Sequence, residues 1–216
     1  MATAVEMRCL VLNGATLGAS SAGDVAAFEG RRCVAHVVLQ DLGATASLAA
    51  HCRDFFQLPG WSEGPQLIIA VTGPGSFTGL RASLALANGL AHGTGARLRG
   101  VTTGACFRTR PGLESAICLT RARRDRLFAE WADGSFWAGS PTEVQTGGNA
   151  PLVGNGVSMM TPEKLGNKEL GPNALDIHMI LAAGLQASDS GMLEPLYIDA
   201  PEAKLPARGL RPAPQA

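Results

Sequence analysis

Residue types able to do chemistry gather in one stretch of the 216-residue chain: Gly73, Pro74, Gly75, Ser76, Phe77, Thr78, Gly79, Leu80 and Arg81. An apolar run over residues 66–72 reads as a buried strand before it, and a helix is expected from about residue 78 to 92 after it. Glycine lets a backbone or ligand come close, and Ser76 or Thr78 can cap the helix. A strand, a glycine-rich turn and a helix N-terminus together suggest an anion site. The specific phosphate loops do not match, however. A Walker loop needs a lysine, and none is present. In the dinucleotide fingerprint Thr78 fills the third glycine position, Gly79 comes one place late, and no acidic residue follows before Thr109. Tight packing or a partner surface is therefore favoured over nucleotide binding. Ser76 is not set up as a nucleophile, because Pro74 and Thr78 occupy both glycine positions of the GxSxG elbow. Arg81 can bind an acidic group or be solvated or paired locally. Phe77 is either a core plug or a contact at a partner surface.

Elsewhere the chemistry is sparse. His36, His51, His92 and His178 are all more than a helical turn apart, with no HxxxH, so no metal site is expected. The five cysteines are spread out with no CxxC, which reads as reduced thiols rather than a disulfide framework. No Ser/His/Asp or Cys/His arrangement supports proteolysis. The formal net charge is zero, but residues 76–126 carry +7 between flanks of −2 and −5. Arg121, Arg123, Arg124 and Arg126 can face tRNA or an acidic partner, although a solvated basic edge is the favoured reading. Trp131 and Trp137 flank an expected hairpin turn at Asp133-Gly134 and read as packing residues.

The elements that position these residues alternate. Strands are expected at residues 8–12, 32–39, 66–72, 97–101, 115–120 and 127–132, and helices at 45–58, 78–92 and 173–185. Leu80, Leu84, Ala87 and Ala91 form the apolar stripe of the central helix, while Ala82, Ala85, Gly89 and Gly93 make a small-residue face where another helix can pack close. The late helix places Leu175, Met179, Ala182 and Leu185 on one face. With 46% hydrophobic and 17% charged residues the chain is not disordered. No apolar run reaches the roughly 18 residues of a spanning helix, and no signal peptide is visible, so a cytoplasmic location without membrane contact is expected. The class is α/β, with a boundary in the region of residues 104–112.

GPGSFTGLR, residues 73–81, resembles the signature of the bacterial TsaB (YeaZ) family. LVGNG at 152–156 and EPLYIDAPEAK at 194–204 are similar to two further family elements. The resemblance implies two small α/β subdomains of the actin/Hsp70-like (ribonuclease H-like) ATPase architecture. These are assigned here to residues 1–105, with the signature turn and partner-binding helices, and 106–204, with a loose Pro-rich tail at 205–216. It implies a non-catalytic dimerisation or scaffold subunit that binds a TsaD-type protein in the complex adding threonylcarbamoyl to the adenosine next to the tRNA anticodon. A TsaE-type ATPase joins that complex, a homodimer is a further possibility, and tRNA is met indirectly. No cofactor is expected for this chain, since ATP and metal belong to the partner subunits. The implied interface runs through Phe77, Ala82, Ala85, Leu86, Gly89 and Gly93. The chain departs from the family pattern at Asn13-Gly14-Ala15, where Asp-Thr-Ser/Ala is usual. It departs again at Arg121-Ala122-Arg123-Arg124, where Asp-Ala-Arg-Arg is frequent, and no His-Ser pair opens the first long helix near residues 44–47. These losses of acid weigh against ATP binding. The alternatives are an ATP-dependent small-molecule kinase or ATPase of the same fold and, third, a glycoprotease-like hydrolase.

Overall fold

A computed structural model of the chain describes residues 6–17, 22–40, 43–123 and 125–198. Five strands form the first sheet: β1 (Arg8–Asn13), β2 (Gly23–Glu29), β3 (Arg32–Leu39), β4 (Leu67–Gly73) and β5 (Arg97–Thr102), in the order β3-β2-β1-β4-β5. The β1-β2-β3 meander is antiparallel, whereas β1, β4 and β5 run parallel. Parallel strands need crossovers, and α1 (Ala44–Phe55) and α2 (Phe77–Thr94) supply them. Side chains alternate across the sheet. Leu10, Leu12, Ile68 and Ala70 pack with Leu48, Cys52, Leu84 and Ala87 of the two helices. Cys9, Val11, Ile69 and Val71 pack on the opposite side. Both faces are covered, which is why β4 reads as an unbroken apolar run.

The opposite face is covered by α3 (Thr103–Phe107) and by α5 (Ile177–Gln186), a helix from the second half of the chain. The second sheet contains β6 (Ile117–Arg121), β7 (Leu127–Glu130), β8 (Phe136–Gly139) and β9 (Leu152–Val153), in the order β8-β7-β6-β9. A short α4 (Pro162–Leu165) precedes α5. Trp131 and Trp137 are partly buried against the core of this sheet, as packing residues. The Asp133-Gly134 turn is present, with Gly134 at φ 82° and Trp131 N–H donating to the Ser135 carbonyl at 3.0 Å.

Several elements differ from expectation. Strand β2 lies where the sequence pattern predicts no strand; it is held by ladders on both edges, to β1 and to β3. Helix α5 begins at Ile177 rather than 173, because the Asp176 carboxylate caps it by accepting the His178 N–H at 2.7 Å. Its buried side is broader than one stripe, taking in Ile177, Met179, Ile180, Leu181, Ala183 and Gly184. Strand β7 stops at Glu130, two residues early, where the hairpin turn begins.

The two sheets are joined by a buried ion pair. Glu130, its side chain 1% exposed, meets Arg108 at 2.5 Å. It also accepts from the Thr102 hydroxyl at 2.5 Å and the Gly104 N–H at 2.7 Å. Thr102, Gly104 and Arg108 all leave the end of the first sheet, so one carboxylate ties β7 of the second sheet to it.

Burial pushes the Cys9 and Cys52 thiols up to about 12 and those of Cys106 and Cys118 well above their usual value, while Cys33 is only half-buried. A thiol reagent at neutral pH is expected to modify Cys33 alone in the native protein and all five cysteines after unfolding. The fold holds Cys9 and Cys52 as neutral thiols. Their contribution is intact below the ordinary thiol value of 9.0 and falls as pH rises from there to about 12. A denaturation series across that range checks the sign.

Candidate functional site

The turn after β4 is built by close backbone contacts. Gly73 sits at φ 123°, a region open to glycine, and the Gly73–Pro74 peptide is cis. The Pro74 carbonyl accepts from the Thr103 hydroxyl at 2.8 Å. The Ser76 N–H donates to the Ala15 carbonyl at 2.6 Å, linking this turn to the loop after β1. A Cβ on Gly75 would lie 2.2 Å from the Ala15 oxygen, and one on Gly79 would lie 2.1 Å from the Gly14 oxygen. Glycine at these positions is therefore a packing requirement between two loops. Ser76 is the N-cap of α2, its hydroxyl accepting the Gly79 N–H at 3.3 Å. Leu80 drops into the core, while Thr78 faces solvent.

Phe77 is 43% exposed, which excludes the core-plug alternative. The Arg81 guanidinium stacks over its ring at 3.8 Å. Arg81 Nε also donates to the Tyr197 hydroxyl at 2.7 Å, and the Phe77 and Tyr197 rings are 5.9 Å apart. Arg81 is thus exposed and paired locally with Phe77, and it also has a partner 116 residues away. The strap carrying Tyr197 is held along α2 and β4. Asn88 exchanges two hydrogen bonds with the Leu193 backbone at 2.9 Å, and the Leu196 N–H donates to the Thr72 carbonyl at 2.9 Å. Two sequence elements singled out separately, GPGSFTGLR and EPLY, form one surface. The remainder of the second element, from residue 199, lies outside the described residues.

The small residues of α2 divide. Ala82 and Leu86 are half-buried against the core shared with α1. Ala85, Gly89 and Gly93 face solvent, and a Cβ at either glycine would meet nothing within 4 Å.

Asn13 is fully buried. Its amide NH2 donates to the Thr16 hydroxyl and to Asp24 Oδ2, both at 3.0 Å, and Asp24 Oδ1 meets His36 Nε2 at 2.9 Å. Asn13 Oδ1 has no hydrogen-bond partner. An aspartate at 13 would place a second carboxylate against Asp24, whereas the amide donates to it. Asp24 here and Glu130 at the joint between the sheets organise these polar contacts, and no sequence motif marks either of them. Arg121 and Arg123 are exposed at the end of the β6–β7 hairpin, Arg126 is half-buried, and Arg124 lies outside the described residues. Among the described residues no cluster of three metal-ligating side chains occurs, and no helix is long and apolar enough to cross a membrane.

No family model matches the sequence, and no curated protein matches it. Solved structures do share its architecture. YeaZ from Pseudomonas aeruginosa has a TM-score of 0.67 at 22% identity, covering 89% of this chain and 100% of that one. The fold is that of YeaZ. A second structure, of an uncharacterized protein with similarity to peptidase YeaZ from Pseudomonas aeruginosa, gives the same TM-score and coverage at 20% identity. The mixed α/β chain with its two sheets therefore has the actin/ribonuclease H-like fold of the YeaZ structures.

Proposed function

We propose that this chain belongs to the TsaB (YeaZ) family. In this reading it is the non-catalytic subunit that binds a TsaD-type protein during transfer of threonylcarbamoyl to the adenosine beside the tRNA anticodon. The observation that carries the reading is the convergence of its two family-like elements: Arg81 of GPGSFTGLR bonds Tyr197 of EPLY in a YeaZ fold. The solvent-facing Ala85, Gly89 and Gly93 then offer α2 as the docking face, with exposed Phe77 at its N-terminal end. ATP and metal would come with the TsaD-type and TsaE-type partners in the cytoplasm, and tRNA would be met through them.

Two features weigh against the other activities. The end of β1 offers a neutral Asn13 whose amide is engaged by Asp24, which does not fit a magnesium-bound phosphate. The Ser76 hydroxyl caps a helix, and no histidine hydrogen-bonds to it among the described residues, which does not fit a serine hydrolase. The test is co-purification with the TsaD-type protein of the same organism on a sizing column with mass detection. A stoichiometric complex competent in threonylcarbamoyl transfer is expected. Gly89→Trp should weaken that complex at least about tenfold while leaving the melting temperature near that of the parent. Absence of a complex at micromolar concentration, with nucleotide present, refutes the partner role.

A further inference from the structure

An open surface cleft of about 430 Å³ lies in the second half of the chain, lined in part by exposed Arg121, Asp125, Thr142 and Ser158 and by half-buried Ser140. It lies at the carboxyl end of β6, which pairs in parallel with β9. Ligands of open α/β sheets bind beyond such ends, and the volume falls in the range of small-molecule sites. The strand ends are tied together. Arg121 closes β6, and its backbone N–H donates to Asn155 Oδ1 at 2.8 Å. Gly156 N–H donates to the Leu119 carbonyl at 2.8 Å. Across the hairpin Asp125 is held at φ 55°, a left-handed conformation that aspartate tolerates.

The charges of this cleft do not neutralise each other. Among the described residues the Arg121 guanidinium and the Asp125 carboxylate enter no ion pair and no side-chain hydrogen bond, with each other or with any neighbour. Glu143, the nearby acid, is occupied by the Ser140 N–H at 3.1 Å. Ser140 and Thr142 share one hydroxyl hydrogen bond at 2.9 Å, which leaves one of their two protons to donate. Ser158 gives its proton to the Asn155 carbonyl and offers only lone pairs. The lining therefore offers a cationic fork, a spare hydroxyl donor and a carboxylate acceptor.

We propose that this cleft binds a phosphate monoester of a polyol, with the phosphate on Arg121 and a sugar-type hydroxyl on Asp125. An arginine fork matches phosphate oxygens two at a time, and an ionised carboxylate is purely an acceptor, suited to hydroxyl donors. The site stands independently of the partner role.

Calorimetric titration of the full chain with ribose 5-phosphate, ribose and inorganic phosphate tests it. Ribose 5-phosphate is expected to bind at least about tenfold tighter than either fragment. Arg121→Gln should weaken it by about tenfold or more. Asp125→Asn, which keeps the left-handed turn, should retain phosphate affinity but lose the preference for the sugar phosphate. Unchanged melting temperatures would show that both variants fold. No binding in the millimolar range overturns the proposal, as does equal affinity for inorganic phosphate or indifference to Arg121→Gln.

Discussion

Glu130→Ala is expected to destabilise the protein by about 3–5 kcal/mol, the usual consequence of removing one partner of a buried ion pair. Three donors lose their acceptor at once: the Arg108 guanidinium, the Thr102 hydroxyl and the Gly104 N–H. Arg108 is only 14% exposed at its side chain, so water replaces the carboxylate poorly. Arg108 also makes a weaker 3.3 Å bond to the Ala116 carbonyl. Against a total stability of about 5–15 kcal/mol, such a loss removes a third or more of the margin of a typical domain. Urea denaturation should show a lower midpoint at an unchanged slope. Glu130→Gln, which keeps the shape and one acceptor oxygen, should cost less. The double variant Glu130→Leu with Arg108→Met should recover much of the loss, because the stranded charge dominates the cost. A shift below about 1 kcal/mol for Glu130→Ala would mean that the pair is solvated rather than a joint between the sheets.

The same pair marks the limit of what sequence discloses. Glu130 reaches partners 22 to 28 residues away, across two sheets, and no local pattern announces such a meeting. The central strand and helix were legible for the opposite reason. β4 is buried on both faces, so its sequence is unbroken apolar, and Leu80, Leu84, Ala87 and Ala91 of α2 repeat at the helical period and are all buried. Strand β2, GDVAAFE, lacks that clarity. Two alanines and a leading glycine carry little strand propensity, and tertiary pairing on both edges overrides it. The weak strand signal of β2 matters at the site. The β1–β2 register sets Asn13 opposite Asp24, so a residue that looked like a lost carboxylate is the donor to a carboxylate supplied by the neighbouring strand. Arg81 shows the same limit, since a local reading of its helical turn could not find Tyr197.

Two glycines of α2 should respond to alanine with opposite signs. Helix propensity alone predicts a gain of about 0.5–1 kcal/mol at each. At Gly89 the new methyl group meets nothing within 4 Å, so that gain should appear in full. At Gly79 the Cβ would fall 2.1 Å from the Gly14 carbonyl oxygen and 2.8 Å from Leu17 Cβ. The nearest obstacle is backbone, held in place where Ala15 accepts the Ser76 N–H, and no rotamer change relieves it. Overpacking of this kind costs about 1–3 kcal/mol, and the backbone contact puts it at the upper end. The propensity gain is outweighed, and Gly79→Ala should lose about 2 kcal/mol net in chemical denaturation. Gly14→Ala tests the same contact from the other side, since its Cβ would lie 2.2 Å from the Gly79 oxygen. Either methyl forces the loop after β1 away from the start of α2. Once the loop has moved, the second methyl finds part of its space already open. The double variant should therefore cost less than the two singles together, and strict additivity would show that the two loops do not share one contact.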